Sequence, residues 1–271
     1  MKNKTLWILA CVVLAVLIAG CISNAVILKK EYEPKYAFST GDHLAYEVTS
    51  TQEKQDTAVK NVIEIDVTRV DEKFIELHIT PKSSLVGQSA ETPYALTITP
   101  YGENVKTDFK GPVLREIQPE FPNGLKYPER IVSSKSVWID TLAQSGNYST
   151  PKGIVDYSVS GDSRYTSMDP KMVAVKAGEY PCLGIRQEVN FTLTEKFDSV
   201  NGTVYMTTTG KIIGENWIEQ DKGFLVKSDY SIKKKINSDD SDIMKVAGFK
   251  AFYREIPSNS RVSCELVQMG K

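Results

Sequence analysis

Ile63-Glu64-Ile65-Asp66-Val67-Thr68 and, beyond an Asp71-Glu72 turn, Ile75-Glu76-Leu77-His78-Ile79-Thr80 decide the fold class of this chain. Apolar and polar residues alternate with a period of two on both sides of the turn. That is the pattern of an antiparallel hairpin with one dry face and one wet face. The pattern returns further along, where Ile185, Val189, Phe191 and Leu193 share one parity and Arg186, Glu188, Asn190 and Thr192 share the other. Asp198-Ser199-Val200-Asn201-Gly202 then turns the chain into Thr203–Ile213, because Asn-Gly readily takes positive φ. Phe224, Val226, Tyr230, Ile232 and Ile236 mark another strand, with Lys227, Asp229, Lys233 and Lys235 facing water.

Helix signals are sparse. Ile243 to Tyr253 has apolar residues at too many offsets to separate strand from helix. Between Gly111 and Pro128 the prolines at 112, 119, 122 and 128 keep the segment out of any central ladder, so it is either a crossover between two β halves or a loop covering one end of the sheet. The expected fold is mainly β: a large curved antiparallel sheet or half-barrel of about twelve to fourteen short strands, in one body or two halves, 38–128 and 129–271.

The 271 residues carry 33 Lys+Arg against 34 Asp+Glu, with 41% hydrophobic and 25% charged residues. This is globular composition, unlike that of disordered or multi-span membrane chains. Near-neutrality gives no long-range field toward nucleic acid, whose binders need a basic face to displace counterions from phosphate, so no nucleic-acid partner is expected.

The amino end has a different character. Lys2 and Lys4 precede an uncharged run from Leu6 to Ile22, about 25 Å long as a helix and shorter than a ~30 Å hydrocarbon core. That suits a secretory h-region. The run ends in Leu17-Ile18-Ala19-Gly20-Cys21, which resembles the lipobox of prokaryotic lipoproteins. The resemblance implies a signal peptide over 1–20, cleavage after Gly20 and a glycerolipid on Cys21. The alternative is an uncleaved signal anchor in which Cys21 is one more apolar residue. Residues 21–37, with Lys29, Lys30, Glu31, Glu33 and Pro34, read as a polar tether to a body over 38–271.

Of the four cysteines, Cys11 falls in the leader and Cys21 at the anchor. Cys182 and Cys264 remain, an even pair in a compartment where disulfides persist. A bond between them would close a loop of about 80 residues, worth about 4 to 5 kcal/mol in the chain-entropy picture; the alternative is two unrelated buried thiols. Asn147, Asn190 and Asn201 open N-x-S/T triplets and are candidate glycan acceptors. Asn190 has the wet parity of its strand.

Gly41-Asp42-His43-Leu44-Ala45-Tyr46, the stretch from Pro128-Glu129 to Val137-Trp138, Val175-Lys176-Ala177-Gly178-Glu179-Tyr180 and Trp217-Ile218-Glu219-Gln220-Asp221-Lys222-Gly223-Phe224 are similar to segments of LolA-like and LppX-like envelope lipoprotein carriers. In that family a curved antiparallel sheet wraps an apolar cavity. The resemblance covers about a third of the chain and carries over no binding residue.

Motifs for chemistry are few. His43 and His78 are the only histidines, and His78 takes the polar parity. No HExxH, CxxC, Walker-type or GxGxxG pattern occurs, so no metal and no cofactor is expected. Gly161-Asp162-Ser163 lacks a following histidine to act as base and reads as a turn. Asp239, Asp240 and Asp242 read as a solvated hairpin tip. Trp138, Trp217, Phe224, Tyr230, Phe249, Phe252 and Tyr253 line either a ligand cavity or an ordinary core. The expected function is a lipid-anchored lipoprotein on the extracytoplasmic face of the cell membrane, not an enzyme, with a binding or scaffold role. Its partners would be membrane lipid through Cys21 and either an apolar small molecule or another envelope protein. A hydrolase using paired carboxylates and a surface adhesion or structural module are the alternatives.

Overall fold

The computed structural model describes residues 28–29, 31–53, 58–83, 92–109, 114, 117–119, 121–122, 124–150, 153–199, 202–246, 250 and 253–270. Their elements run in the order β1 (Glu31–Tyr32), β2 (His43–Gln52), β3 (Val59–Val70), β4 (Ile75–Ser83), β5 (Tyr94–Ile98), β6 (Asn104–Thr107), β7 (Val132–Ser133), β8 (Val137–Thr150), β9 (Gly153–Ser167), β10 (Lys171–Val175), β11 (Gly178–Ser199), β12 (Gly202–Glu219), β13 (Leu225–Asp239), helix α1 (Ser241–Val246) and β14 (Tyr253–Gly270). The expected mainly β architecture is what forms. One twelve-stranded antiparallel sheet follows the order β6-β5-β4-β3-β2-β14-β13-β12-β11-β9-β8, and β10 pairs with β11 off that path. The sheet is open, with β6 and β8 at its edges. The segments on either side of residue 128 share it, because β2 pairs with β14. β1 and β7 form a separate two-stranded ribbon.

The hairpin that decides the fold class is β3–β4, with Val70 opposite Ile75 across the turn. Asp71 Oδ1 accepts the backbone N–H groups of Lys73 and Phe74 at 2.9 and 2.8 Å and so fixes the reversal. Ile65, Val67, Ile75, Leu77 and Ile79 are all buried, while Glu76 and His78 stay at the outer face. The Asn201-Gly202 turn leaves only two residues between Ser199 and its partner Gly202.

Many of the strands are not short. β11 has 22 residues and β12 has 18, so β12 alone spans about 55 Å at ~3.3 Å per residue. Four strand glycines lie directly opposite an aromatic residue whose ring crowds them: Gly146 and Tyr157, Gly184 and Trp217, Gly210 and Phe191, Gly214 and Tyr230. Each ring lies where a Cβ would go; at Gly214 that atom would stand 2.1 Å from Tyr230 Cδ1. The rings thus cover backbone that the glycines leave bare, in the manner of aromatic rescue.

Three expectations need correction. Residues 31–37 are not a free tether: Tyr32 pairs in β1, and Tyr32, Tyr36 and Phe38 are buried while Glu31, Glu33 and Lys35 point outward. Gly161-Asp162-Ser163 is no turn but the middle of β9, opposite Asn190 and its neighbours on β11. Cys182 and Cys264 are free, buried thiols and not a disulfide. They sit on β11 and β14, with β12 and β13 between them. Three strand spacings of ~4.8 Å alone separate them by about 14 Å across the sheet, twice the Cα separation a disulfide tolerates. Cys264 aligns through Ser228 and Asn216 with Ile185 rather than Cys182, which adds to the distance. Cys21 and the rest of the signal segment lie outside the described residues, as does Asn201.

Burial holds both thiols in the protonated form and pushes Cys182 up to about 12, which makes them poor nucleophiles. Ellman's reagent without reductant is expected to leave both thiols unreacted in the native state. Both should react on denaturation, whereas a chain that still yields none would hold the bond.

Candidate functional site

Three of the four motif segments meet at one end of the long strands, here called the base. Asp42, 1% exposed, receives both oxygens' bonds from Lys222 Nζ, at 3.0 and 2.8 Å, across 180 residues of sequence. Its Oδ2 also accepts the Ser39 N–H at 2.8 Å. In the β12–β13 turn, Glu219 Oε2 accepts the N–H groups of Asp221 and Lys222 at 2.9 and 2.6 Å. Burial raises the Glu219 carboxyl above the ordinary carboxylate range, against the pull of those two bonds. Gly223 has φ 71°, and a Cβ there would stand 2.0 Å from the Lys35 carbonyl oxygen, so only glycine fits. The Ala37 N–H donates to Lys222 O at 2.9 Å, and Tyr127 OH donates to Gly223 O at 2.7 Å. The β10–β11 hairpin is tied to the outer face of β2 and β14 by Lys176, whose Nζ reaches Glu47 at 3.0 Å and whose N–H reaches Glu265 at 3.1 Å. Tyr180 from the same motif sets its ring edge-on to Phe224 at 5.7 Å.

The proline-rich connection is the second half of this assembly. It links the two edge strands of the sheet, β6 and β8, and its described part puts Leu114, Ile117, Leu125 and Tyr127 into the core. Tyr36 packs against both Phe38 and Tyr127, with ring centres 5.6 and 4.8 Å apart, and donates its OH to Leu125 O at 3.2 Å. The segment is therefore a cover over the inner face at the base and not a crossover between two β halves, since β2 and β14 join both parts in one sheet. Beneath it lie three buried polar side chains from the sheet. Tyr230 OH donates to Asn216 Oδ1 at 2.6 Å and stands 2.9 Å from the Gln187 amide. Pro119, Phe121, Leu125 and Tyr127 close over them and leave a cavity of about 10 Å³, room for one water and no more. The aromatic group singled out in the sequence does not line a shared hollow. Phe224 and Tyr230 are core, Trp138 stacks on Tyr165 at 5.2 Å, Trp217 carries Lys171 over its ring at 3.7 Å on the outer face, and Tyr253 is 65% exposed. Phe249 and Phe252 lie outside the described residues.

Two larger hollows sit further up the ladder. On the inner face near the far tip, Tyr148, Val155, Phe197, Val204 and Met206 line a trough of about 280 Å³. Its one carboxylate, Glu195, accepts a bond from Tyr148 OH at 3.1 Å. Burial first, and then the Glu195 charge, push the Tyr148 phenol up to about 12, so it remains a neutral donor at any physiological pH. On the outer face, Ser160, Asp162, Asn190, Thr192, Thr209, Lys233 and Lys235 border an open groove of about 570 Å³ beside Gly161 and Gly210. Asn190 is exposed there and lies 3.4 Å from Asp162; Asn147 is exposed on β8.

The titratable residues do not gather. His43 Nδ1 is 2.7 Å from Asp66 Oδ1, and His78 follows on the next strand of the same row. Among the described residues no three His, Cys, Asp or Glu side chains form a metal-holding group. Ser163 Oγ is fully buried without a hydrogen-bond partner, and the cleft residues around Asp162 and Glu195 supply one carboxylate each. Asp239 accepts the Ser241 N–H at 3.0 Å at the start of α1, so the acidic run caps a helix at the tip. The trough was the feature that sequence reasoning missed. Its signal was the apolar parity of Val155, Phe197, Val204 and Met206 continuing past the point where a core would end.

No protein-family model and no curated protein matches this sequence. A Bacteroides fragilis protein of YmcC-like fold, described as exported, is 9% identical over 88% of this chain and 100% of that one, with a TM-score of 0.39. OmpT, an outer membrane protein of Vibrio cholerae, is 8% identical over 82% and 97%, with a TM-score of 0.23. Both scores are too low to establish a common fold.

The base lock carries a measurable energy. Replacing Lys222 by Ala leaves the Asp42 carboxylate buried without its charged donor, and a lost bond to a charged group costs about 2–3 kcal/mol. Urea unfolding of Lys222→Ala should show a loss of that size with an unchanged slope; a loss below about 0.5 kcal/mol would mean the pair is only a surface contact.

Proposed function

We propose that this chain is a lipid-anchored, extracytoplasmic binding protein without catalysis, which holds an apolar group in the trough at the tip of its ladder. The carrying observation is the contrast between the two ends of the inner face. At the base the chain's own connection leaves hollows of only about 10 and 80 Å³ beneath it, and at the tip about 280 Å³ lined mainly by apolar side chains stays open. An apolar hollow facing water loses contact energy unless something fills it. The trough takes a single bulky side chain or the end of an acyl chain, with Glu195 and Tyr148 as the polar edge that orients a donor on the guest.

The anchor half of the proposal rests on the lipobox resemblance at Leu17-Ile18-Ala19-Gly20-Cys21. Where the chain enters the body also fits it. Lys29 bonds Asp221 at 2.6 Å and its N–H meets Gln220 at 3.2 Å, at the base and far from the trough. A diacyl anchor on Cys21 therefore leaves the trough unobstructed, and with two chains the attachment is firm. The hydrolase reading requires two carboxylates across one cleft, and neither of the two larger hollows brings that pair together.

Two measurements check the halves separately. Cys21→Ser is expected to accumulate as an uncut precursor without lipid, read by mass spectrometry of the membrane fraction; normal cleavage of that variant removes the anchor. Phe197→Asp puts a charge on the trough floor and should weaken binding of the neutral probe N-phenylnaphthylamine by about tenfold or more, with melting temperature little changed. Equal binding by both proteins removes the trough.

A further inference from the structure

The two edges of the large sheet are unlike. β6 has 4 residues, including Lys106. β8 has 14 and contains no proline, lysine or arginine. Its one ionised side chain, Asp140, is already 3.1 Å from Lys126. Open edges are normally blunted by shortness, prolines, lysines or bulges, because unpaired N–H and C=O groups template another strand. β8 has none of these protections.

Its free side can be identified. Val137 O accepts from Arg130 Nη2 at 2.9 Å, so that carbonyl faces away from β9. In an antiparallel ladder the N–H and C=O of one residue point the same way, and the direction alternates along the strand. Ile139, Thr141, Ala143, Ser145, Asn147 and Ser149 thus direct their backbone groups outward. Among the described residues these groups make no backbone hydrogen bond beyond the β8–β9 ladder. The stretch from Ala143 to Asn147 is exposed throughout.

We propose that β8 pairs antiparallel with β8 of a second copy, which continues the sheet across a two-fold axis at Ala143. An isologous contact of this kind is closed and self-complementary. With Ala143 on the axis, paired residues share parity, so the inner faces of both copies stay on one side. Trp138 then lies opposite Tyr148, Asp140 opposite Gly146 and Leu142 opposite Gln144; Ile139 lies opposite Asn147 on the outer face. No like charges meet, because the single carboxylate is off the axis, and the inner face gains an aromatic cross-strand pair. An identical strand also matches the unusual length of the edge, which a short peptide does not. Tyr148 is a wall of the apolar trough, so Trp138 of the second copy extends that wall. This last consequence rests on the proposed binding role; the pairing itself does not.

Single cysteines placed along the free edge of the full-length protein in its native membrane test the pairing. Ile139→Cys, Thr141→Cys, Ala143→Cys, Ser145→Cys and Asn147→Cys are oxidised in turn and run on non-reducing gels. Disulfide-linked dimer is expected to peak at Ala143→Cys and decline on both sides. Ser231→Cys, exposed in the middle of the outer face on β13, should give none. Ala143→Pro removes an outward N–H and keeps the bonds to β9, so it should abolish the two-chain species in sedimentation while the thermal transition persists. Absence of dimer from every edge position, a flat profile, or equal dimer from Ser231→Cys overturns the proposal. Probe binding to the trough is scored independently in the same variants, so loss of one property does not masquerade as loss of the other.

Discussion

The buried ion pair between Asp42 and Lys222 ties together parts of the chain that the sheet alone leaves apart. Asp42 stands at the entrance of β2 and Lys222 in the β12–β13 turn, and the sheet places them on different strands with β14 and β13 in the path between. Holding them together brings the Lys35–Phe38 segment onto Gly223 and lets the Tyr36 and Tyr127 rings pack at a tilt of 47°. Those two tyrosines in turn pin the proline-rich connection over the inner face. Each contact is modest by itself. Their shared location makes the base one closed assembly, because a carboxylate this deeply buried is tolerable only with its partner in place.

A filled base changes how the curved sheet is to be understood. A curved antiparallel sheet of this size has two ways to satisfy its inner face, by a guest or by its own chain. Here the chain itself supplies Leu114, Ile117, Leu125, Tyr127 and Val132 for the lower half. The long strands then carry the sheet beyond the reach of that cover, and the inner face there narrows to the trough between Tyr148 and Met206. The glycine–aromatic pairs along β11, β12 and β13 cover the backbone that the glycines leave bare in such long strands. Strand length and the open trough are thus consequences of the same arrangement.

The alternation in β3, β4, β11 and β13 was legible because each has one dry face, and a period of two is then written into the residues. The stretch from Glu31 to Phe38 carries the same period, yet its charges and proline masked it; tyrosine at 32 and 36 was the sign that one side is buried. Strand length was illegible because Thr, Ser and Gly near the tip fit a loop equally well. The lack of a disulfide could not be read at all, since parity says nothing about how many strands separate two cysteines. The four motif segments were visible as words, but only the fold shows that three of them meet at the base.

Hydrogen exchange of the backbone amides around the base tests most directly whether the connection is a fixed wall or a lid over a cargo space. The N–H groups of Tyr36, Ala37, Tyr127 and Gly223 donate to Pro100, Lys222, Tyr101 and Glu219 at 2.7 to 3.0 Å. A fixed wall requires them to exchange only through global unfolding, as slowly as the amides at the centre of β12 and β13. Exchange of these four within seconds, while the central strands remain protected, would show a base that opens and would contradict the account.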